Sequence, residues 1–108
     1  MSFDEFEDWG SKENHKKRRL EQDSKVYFIR QGIDGPIKIG KSLNPKSRLK
    51  TLQTANPIPL SIILIIPEYF YKEELIQEKF RKYRISGEWF HPAKELLDFI
   101  EYLKSIKT

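Results

Sequence analysis

The chain has 108 residues, with 20 Lys+Arg against 16 Asp+Glu and a formal net charge of +4. This length favours one small domain with a modest core. The absence of cysteine excludes disulfide frameworks and thiolate metal sites, and two histidines are too few for a histidine-rich zinc site. The longest apolar run, residues 60–66, is far shorter than the ~20 residues of a membrane span. We therefore expect no membrane partner, no signal peptide and a cytoplasmic, intracellular location.

Charge divides the chain near residue 24. Residues 1–24 hold five Lys+Arg and seven Asp+Glu, whereas residues 25–108 hold fifteen and nine. We predict a charged N-terminal arm over 1–24 and a basic domain over 25–108, a balance that suits approach to a phosphate backbone. The basic run of the arm is either a solvated tail or a phosphate-gripping segment; it comprises Lys16, Lys17, Arg18 and Arg19.

Two short apolar runs, residues 26–29 and 37–40, predict a β-hairpin because a Gly/Asp turn separates them. If residues 32 and 35 pair, Tyr27 faces Gly40. Tyr27 and Lys38 then share one sheet face as diagonal neighbours, roughly 7–8 Å apart at the backbone. The opposite face is apolar and carries Val26, Phe28, Ile37 and Ile39.

A helix is predicted from Pro45 to about Thr54, with Asn44 as its N-cap. Leu49 and Leu52 form its buried stripe. Arg48 lies beside that stripe, so its guanidinium can reach over the hairpin face. Gln53 and Asn56 are expected to make loop and helix-end hydrogen bonds.

The run over residues 60–66 is apolar on both faces, which predicts a central strand with helices on both sides. A second helix is predicted over about residues 70–83, with Ile76, Phe80 and Tyr83 as its core stripe. Glu73 falls in line with this stripe, whereas Glu74 falls on the solvent face. A carboxylate in a buried stripe is costly unless it is paired or bound to metal. A buried ion pair between Glu73 and Arg48 is the structural alternative, and Glu74 is the second choice of ligand.

Residues 87–90 predict a turn and a short extended segment, whose Trp89 and Phe90 pack in the core. His91 and Pro92 are expected to open a final helix that ends at about Ile106. The predicted fold class is α+β, a small three-stranded sheet made of the hairpin and the buried strand and flanked by three helices.

These residues resemble the GIY-YIG endonuclease superfamily, in particular a branch with KIG as the second tripeptide, R-L-x-x-L-Q-T on the helix and GEWF afterwards. The resemblance covers about residues 25–92 and implies a GIY-YIG-like nuclease domain. Tyr27 stands at the tyrosine of the first tripeptide, Arg48 at the helix arginine and Glu73 at the metal-binding glutamate. Lys38 replaces the second tyrosine, and Gln77 stands where many members of the branch carry histidine. The usual C-terminal asparagine is absent.

The resemblance implies a metal-dependent endonuclease that hydrolyses phosphodiester bonds in DNA. Glu73 would hold one Mg²⁺ or Mn²⁺ ion, and Arg48 would brace the phosphate. Tyr27 would position and deprotonate the attacking water, with its pKa lowered by cations at Lys38 and Arg48. Lys38 would either support Tyr27 and bind phosphate or act as the base itself.

The expected partner is DNA, gripped through backbone phosphates by residues near the active site, namely Lys41, Ser42, Lys46 and Lys50. Because 108 residues leave no room for a recognition domain beyond the N-terminal arm, we expect cleavage that is structure-guided or nonspecific, or else targeting by a separate partner protein. Phage or mobile-element origin fits such a nuclease, and the oligomeric state stays open. Two other functions compete with cleavage. One is a catalytically degenerate nucleic-acid-binding module of the same fold, suggested by Lys38 and Gln77; the other is a protein-interaction domain that uses the N-terminal aromatic residues.

Overall fold

A computed structural model describes residues 24–107 of the chain, so the predicted arm lies outside the described residues apart from Ser24. The described part has an α+β fold of five strands, three α-helices and one 3₁₀ turn. In chain order the elements are β1 (Lys25–Gln31), β2 (Ile37–Ser42), α1 (Pro45–Thr54), β3 (Leu60–Pro67), α2 (Glu73–Lys79), the 3₁₀ turn (Arg81–Tyr83), β4 (Arg84–Ser86), β5 (Trp89–Phe90) and α3 (Lys94–Lys107). No helix among these combines the length and the apolar character that crossing a bilayer requires.

The sheet has five strands in the order β3-β1-β2-β5-β4, and all neighbours are antiparallel. The prediction of three strands was therefore wrong. The two additional strands have three and two residues, which is too short for an alternating pattern to appear in the sequence. Gly87, at φ 55°, makes the turn between them. Strand β5 then pairs with β2 through Phe90 opposite Ile37 and Trp89 opposite Lys38.

The predicted hairpin register is confirmed, because Tyr27 lies opposite Gly40. The two faces of the sheet support two separate core clusters. One cluster joins the apolar hairpin face to α2 and α3, and its members include Val26, Phe28, Ile37, Ile39, Ile76, Phe80, Leu96, Ile100 and Leu103. The other cluster holds Tyr27 and Ile29, against which Leu49 and Leu52 of α1 pack. Helix α1 thus covers one face and the other two helices cover the opposite face.

Strand β3 lies at an edge of the sheet, which corrects the prediction of a central strand. Both of its faces are nevertheless covered, as expected, by the two core clusters. A bulge within β3 changes which residues face each cluster. Phe28 pairs with Leu64 and Ile29 pairs with Ile62, so Ile63 is the additional residue. Leu60 and Ile62 consequently pack in the α1 cluster, whereas Leu64 and Ile66 pack in the other. The apolar run therefore contributes side chains to both clusters, although no strand of the described chain pairs with the outer edge of β3.

Helix α1 has the predicted bounds, and the Asn44 side chain accepts a hydrogen bond from Ser47 N at 3.1 Å. Helix α2 is shorter than predicted. A turn closed by Phe70 N and Pro67 O delays its start, and the chain tightens into the 3₁₀ turn after Phe80. Helix α3 begins at Lys94 rather than at residues 91–92, because His91 N donates to Tyr83 O at 2.8 Å and continues the extended segment.

Gln53 closes the connection between α1 and β3. Its amide nitrogen donates to the carbonyl oxygens of Asn56 and Ile58, both at 3.0 Å. Its amide oxygen accepts from Leu60 N at 2.8 Å. The Asn56 side chain in turn accepts from Ile58 N at 2.9 Å. These contacts match the loop and helix-end role expected for both residues.

Gln53→Leu is expected to destabilise the fold by about 1–3 kcal/mol, because the Leu60 amide and two carbonyl groups lose their partner. Urea denaturation would measure the change in the free energy of unfolding. Thr51→Ala is the matched control on the same helix, since it removes one exposed hydrogen bond and should change stability by less than about 0.5 kcal/mol. Equal effects from the two substitutions would contradict a specific role for Gln53.

Candidate active site

The predicted catalytic residues meet at the edge of β2, just beyond the end of β5. Within β2, strand β5 pairs only with Ile37 and Lys38, so the peptide groups of Ile39 have other partners. Ile39 N donates to the carbonyl oxygen of Glu88 at 2.9 Å. Ile39 O accepts from the Gln77 amide at 2.7 Å. One residue of β2 therefore fixes both the β4–β5 turn and helix α2.

Gly40 provides the space in which two functional groups approach each other. A Cβ atom at this position would lie 2.6 Å from Cζ of Tyr27, closer still to its hydroxyl oxygen, and 3.0 Å from Oε1 of Glu88. Distances below 3 Å are not tolerated between such atoms, so glycine is required for this packing. The Tyr27 hydroxyl and the Glu88 carboxylate both lie within about 3 Å of one point and hence less than 6 Å apart.

Tyr27 is almost fully buried, with 1% of its surface exposed. Burial raises the pKa of its phenol above the ordinary value, and the negative charge of Glu88 adds to the effect. A hydrogen bond with the Arg48 side chain and the arginine charge oppose the increase without reversing it. Arg48 therefore lowers the Tyr27 pKa as expected of a neighbouring cation, but the net pKa is raised, so the expected lowered value was wrong. Loss of water around the phenolate outweighs the effect of Arg48.

Lys38 lies on the same face as Tyr27, as predicted, and only 8% of its surface is exposed. Its ammonium forms a salt bridge with Glu88 at 3.2 Å and lies 5.5 Å from the centre of the Trp89 ring. The charge of Lys38 is thus compensated by Glu88 instead of acting on Tyr27. Glu88 was missed as a site residue. The sequence feature that could have indicated Glu88 is its place in the GEWF segment, between the turn glycine and two aromatic residues.

Glu73 faces inward on α2, as its alignment with the core stripe predicted, and 8% of its surface is exposed. Its pKa rises from 4.5 to about 7, first because of burial and then because of Glu88, while Lys41 opposes the rise. The Gln77 amide lies 3.4 Å from Oε2 of Glu73. Within residues 24–107 Glu73 forms no ion pair, so the alternative of a buried pair with Arg48 is not realised.

Glu74 is the weaker candidate for a metal ligand. Its carboxylate is 65% exposed and pairs with Lys41 at 3.3 Å. Hydrogen bonding to its own backbone amide and to Lys41 lowers its pKa. An exposed carboxylate already compensated by lysine has less to gain from a cation than the buried carboxylate of Glu73.

Arg48 lies on the exposed side of α1, and its guanidinium lowers the pKa of Tyr27. The electrostatic influence of Glu73 and Glu88 on Tyr27 places these acidic groups near the same phenol. The fold therefore brings Tyr27, Arg48 and Glu73 together, and Lys38 joins them through Glu88. These residues come from β1, β2, α1, α2 and the β4–β5 turn, so tertiary packing is needed to assemble them.

The residues predicted to contact DNA differ in availability. Lys41 forms salt bridges with Glu68 at 3.2 Å and with Glu74 at 3.3 Å. Ser42 Oγ accepts from Asn44 N at 3.0 Å. Lys46 and Lys50 are exposed on α1, which carries no acidic residue, and neither forms an ion pair within the described range. Lys16, Lys17, Arg18 and Arg19 lie outside the described residues.

A divalent cation at this site would have to be held mainly by water. The described residues contain no group of three or more His, Cys, Asp or Glu side chains that could enclose a metal ion. Magnesium commonly binds through one or two carboxylates and keeps several waters. Glu73 matches that requirement, because its buried carboxylate resists ionisation and a nearby cation would favour the charged form.

Gly40→Ala is expected to destabilise the protein by about 1–3 kcal/mol, because its methyl group would overlap the Tyr27 ring. Chemical denaturation of a double-mutant cycle with Tyr27→Leu would test the cause. In the Tyr27→Leu background the cost of Gly40→Ala should fall by more than half. An unchanged cost would show that the glycine serves the backbone rather than the phenol.

Glu73→Gln is expected to stabilise the protein at pH 8.5 by about 3 kcal/mol, because the Glu73 pKa rises from 4.5 to about 7 and each pKa unit corresponds to roughly 1.4 kcal/mol. The folded state binds the Glu73 proton more tightly than the unfolded state. In the wild type, protonated Glu73 therefore contributes stability that is fully present below about pH 4.5 and is lost as the pH rises through about 7. The gain should therefore disappear near pH 4.5. Thermal unfolding in EDTA would measure it, with the exposed Glu78→Gln as control. Destabilisation by Glu73→Gln at pH 8.5 would contradict the buried, costly charge.

Comparison with known proteins gives a match to one family model. A family model described as the T5orf172 domain matches residues 24–104, which include every strand and most of α3. The comparison finds no match among curated proteins and none among solved structures. The match spans most of the described chain, and the protein belongs to the T5orf172 domain family.

Proposed function

We propose that the protein is a metal-dependent endonuclease that hydrolyses phosphodiester bonds in DNA, with a GIY-YIG-like nuclease domain over residues 25–108. The observation that supports this proposal is that the buried Tyr27 phenol, which packs over Gly40, is under the electrostatic influence of both Arg48 and Glu73. Hydrolysis of a phosphodiester needs an aligned water, a cationic partner for the phosphoryl oxygens and help for the leaving oxygen. The site offers side chains suited to these tasks within one small region.

Arg48 braces the phosphate in this proposal. Its planar guanidinium can donate two parallel hydrogen bonds to one phosphate, a geometry that lysine cannot reproduce. The exposed position of Arg48 on α1 leaves it open to a ligand in solution. Tyr27 orients the attacking water through its hydroxyl group. Because burial raises its pKa, Tyr27 stays protonated at neutral pH and acts as a hydrogen-bonding group.

Glu73 would hold the single Mg²⁺ or Mn²⁺ ion, with the Gln77 amide orienting its carboxylate. When bound, the cation would act as a Lewis acid that offsets charge on the phosphate and on the leaving oxygen. Gln77 itself is fixed by Ile39 O, so α2 presents Glu73 at a defined position. Arg84 also donates to the Gln77 amide oxygen at 3.4 Å, which determines which end of the amide faces Glu73.

Helix α1 supplies the surface that approaches DNA. Lys46, Arg48 and Lys50 lie on it without any acidic neighbour in the helix. Contacts of this kind with phosphates give affinity without choice of sequence. Binding should therefore be weak and steeply dependent on salt. A separate targeting protein would direct cleavage in the cell.

A catalytically degenerate nucleic-acid-binding module is the second candidate. The supporting observation is that Lys38 is paired with Glu88 and so does not lower the pKa of Tyr27. Gln77 likewise cannot relay a proton as histidine can. In this function Arg48 would contact phosphate, and Glu73 would be a buried acid without a metal ion.

Nicking of supercoiled plasmid at low salt with MgCl₂ or MnCl₂ tests the proposal. We expect the wild type to produce open circles and EDTA to abolish the reaction. Glu73→Gln and Arg48→Ala should each reduce the rate by about 10²-fold or more, because each removes stabilisation of charge in the transition state. Glu78→Gln, on the solvent side of α2, should stay within about threefold of the wild type.

Two outcomes would separate the candidates. Plasmid binding by the wild type without nicking in either metal would reject the nuclease and favour the binding module. Nicking that survives Glu73→Gln in full would reject Glu73 as the metal ligand and point to a contaminating nuclease or another site.

A further inference from the structure

The Glu88 carboxylate faces the Tyr27 hydroxyl across Gly40, and no motif in the sequence assigns a role to it. Tyr27 is a poor proton acceptor for the proposed hydrolysis, because its phenol is buried over Gly40 and burial raises its pKa. Lys38 is an equally poor acceptor while its ammonium is paired with a carboxylate. Glu88 is the remaining group in contact with this space, and its side chain is 42% exposed.

The Tyr27 hydroxyl and the Glu88 carboxylate lie close enough for one water molecule to hydrogen-bond to both. Their oxygen atoms are less than 6 Å apart, as their shared approach to the Gly40 position shows. Two hydrogen bonds of about 2.8 Å each span that separation. Such a water would be held by the phenol on one side and by the carboxylate on the other. A general base must lie within hydrogen-bond reach of the proton that it removes.

The position of Glu88 is defined by its own backbone and by Lys38. Its carbonyl oxygen accepts from Ile39 N at 2.9 Å, which holds the turn against β2. The next residue, Trp89, pairs with Lys38 in the sheet. The Lys38 ammonium then contacts Oε1 of Glu88 at 3.2 Å and orients the carboxylate. A short, exposed turn thereby presents its acid in a fixed direction.

We infer that Glu88 is the catalytic base of this site and that Lys38 is the residue that positions it. A water O–H bond breaks and its proton passes to Glu88, while the water oxygen forms a bond to phosphorus. The bond from phosphorus to the 3′ oxygen breaks with its electron pair on oxygen, which takes a proton from solvent. The products are a 5′-phosphate and a 3′-hydroxyl. This inference rests on the proposed nuclease function.

The pairing also accounts for lysine in place of the second tyrosine. A tyrosine at position 38 would offer a phenol to Glu88, whereas lysine offers a full positive charge at 3.2 Å. The carboxylate is therefore held by a charge-assisted contact, which is stronger than a neutral hydrogen bond. In this inference Lys38, which departs from the GIY-YIG pattern, and Glu88 act together as a pair.

Plasmid nicking with MnCl₂ tests the role of Glu88. General base catalysis typically contributes 10²–10⁴-fold, so Glu88→Gln should reduce the nicking rate by at least about 10²-fold. Glu88→Asp retains the charge beside Lys38 but withdraws the carboxylate by one methylene group, and it should lose about tenfold or more while remaining folded. Glu101→Gln, which removes an exposed carboxylate from α3, is the matched control and should match the wild type.

Two further measurements distinguish a base from a metal ligand and from a structural ion pair. The rise in Tm caused by MnCl₂ should persist in Glu88→Gln and disappear in Glu73→Gln. Sodium formate should restore part of the nicking lost in Glu88→Ala, whereas sodium chloride at the same concentration should not. A small carboxylate can replace the missing proton acceptor but cannot rebuild the turn.

The inference is overturned if Glu88→Gln nicks within threefold of the wild type. It is also overturned if Glu88→Gln abolishes the manganese-dependent rise in Tm, which would make Glu88 a ligand, or if formate restores nothing. Absence of nicking by the wild type would instead reject the proposed nuclease function and this inference with it.

Discussion

The two hydrogen bonds of the Ile39 peptide groups determine how the candidate active site is assembled. Its N–H holds the β4–β5 turn at 2.9 Å, and its carbonyl holds helix α2 through Gln77 at 2.7 Å. Buried peptide groups must find partners, and here the partners are the two segments that carry the acidic residues. The positions of the Glu73 and Glu88 carboxylates relative to Tyr27 thus depend on β2, whose pairing with β5 ends at Lys38.

Burial determines the electrostatic character of the site. It raises the pKa of both Tyr27 and Glu73, so each group resists ionisation when no cation is near. Glu88 adds negative charge to both, but Lys38 compensates it locally. Arg48 is the cation that lowers the pKa of the Tyr27 phenol. In the proposed nuclease, this arrangement would favour a cation at Glu73 and a phosphate at Arg48.

Local signals in the sequence predicted much of this arrangement. The hairpin register, the bounds of α1 and the inward direction of Glu73 all followed from turn residues, a cap and a helical stripe. Strands β4 and β5 were missed because two or three residues show no periodicity. The edge position of β3 was missed because a central strand and this edge strand have the same apolar run. In β3 both faces are buried by packed helices, and a bulge changes which residues face each layer.

The sequence by itself determined which elements form and which residue types are available for chemistry, since capping, turn geometry and apolar periodicity act over a few residues. The tertiary structure alone decided which charges meet. It placed Glu88 beside Lys38, bound Lys41 to Glu68 and Glu74, and left the Tyr27 phenol with a raised pKa instead of a lowered one. Desolvation and ion pairing depend on distances between segments that are remote in the chain. No pattern within one segment specifies those distances.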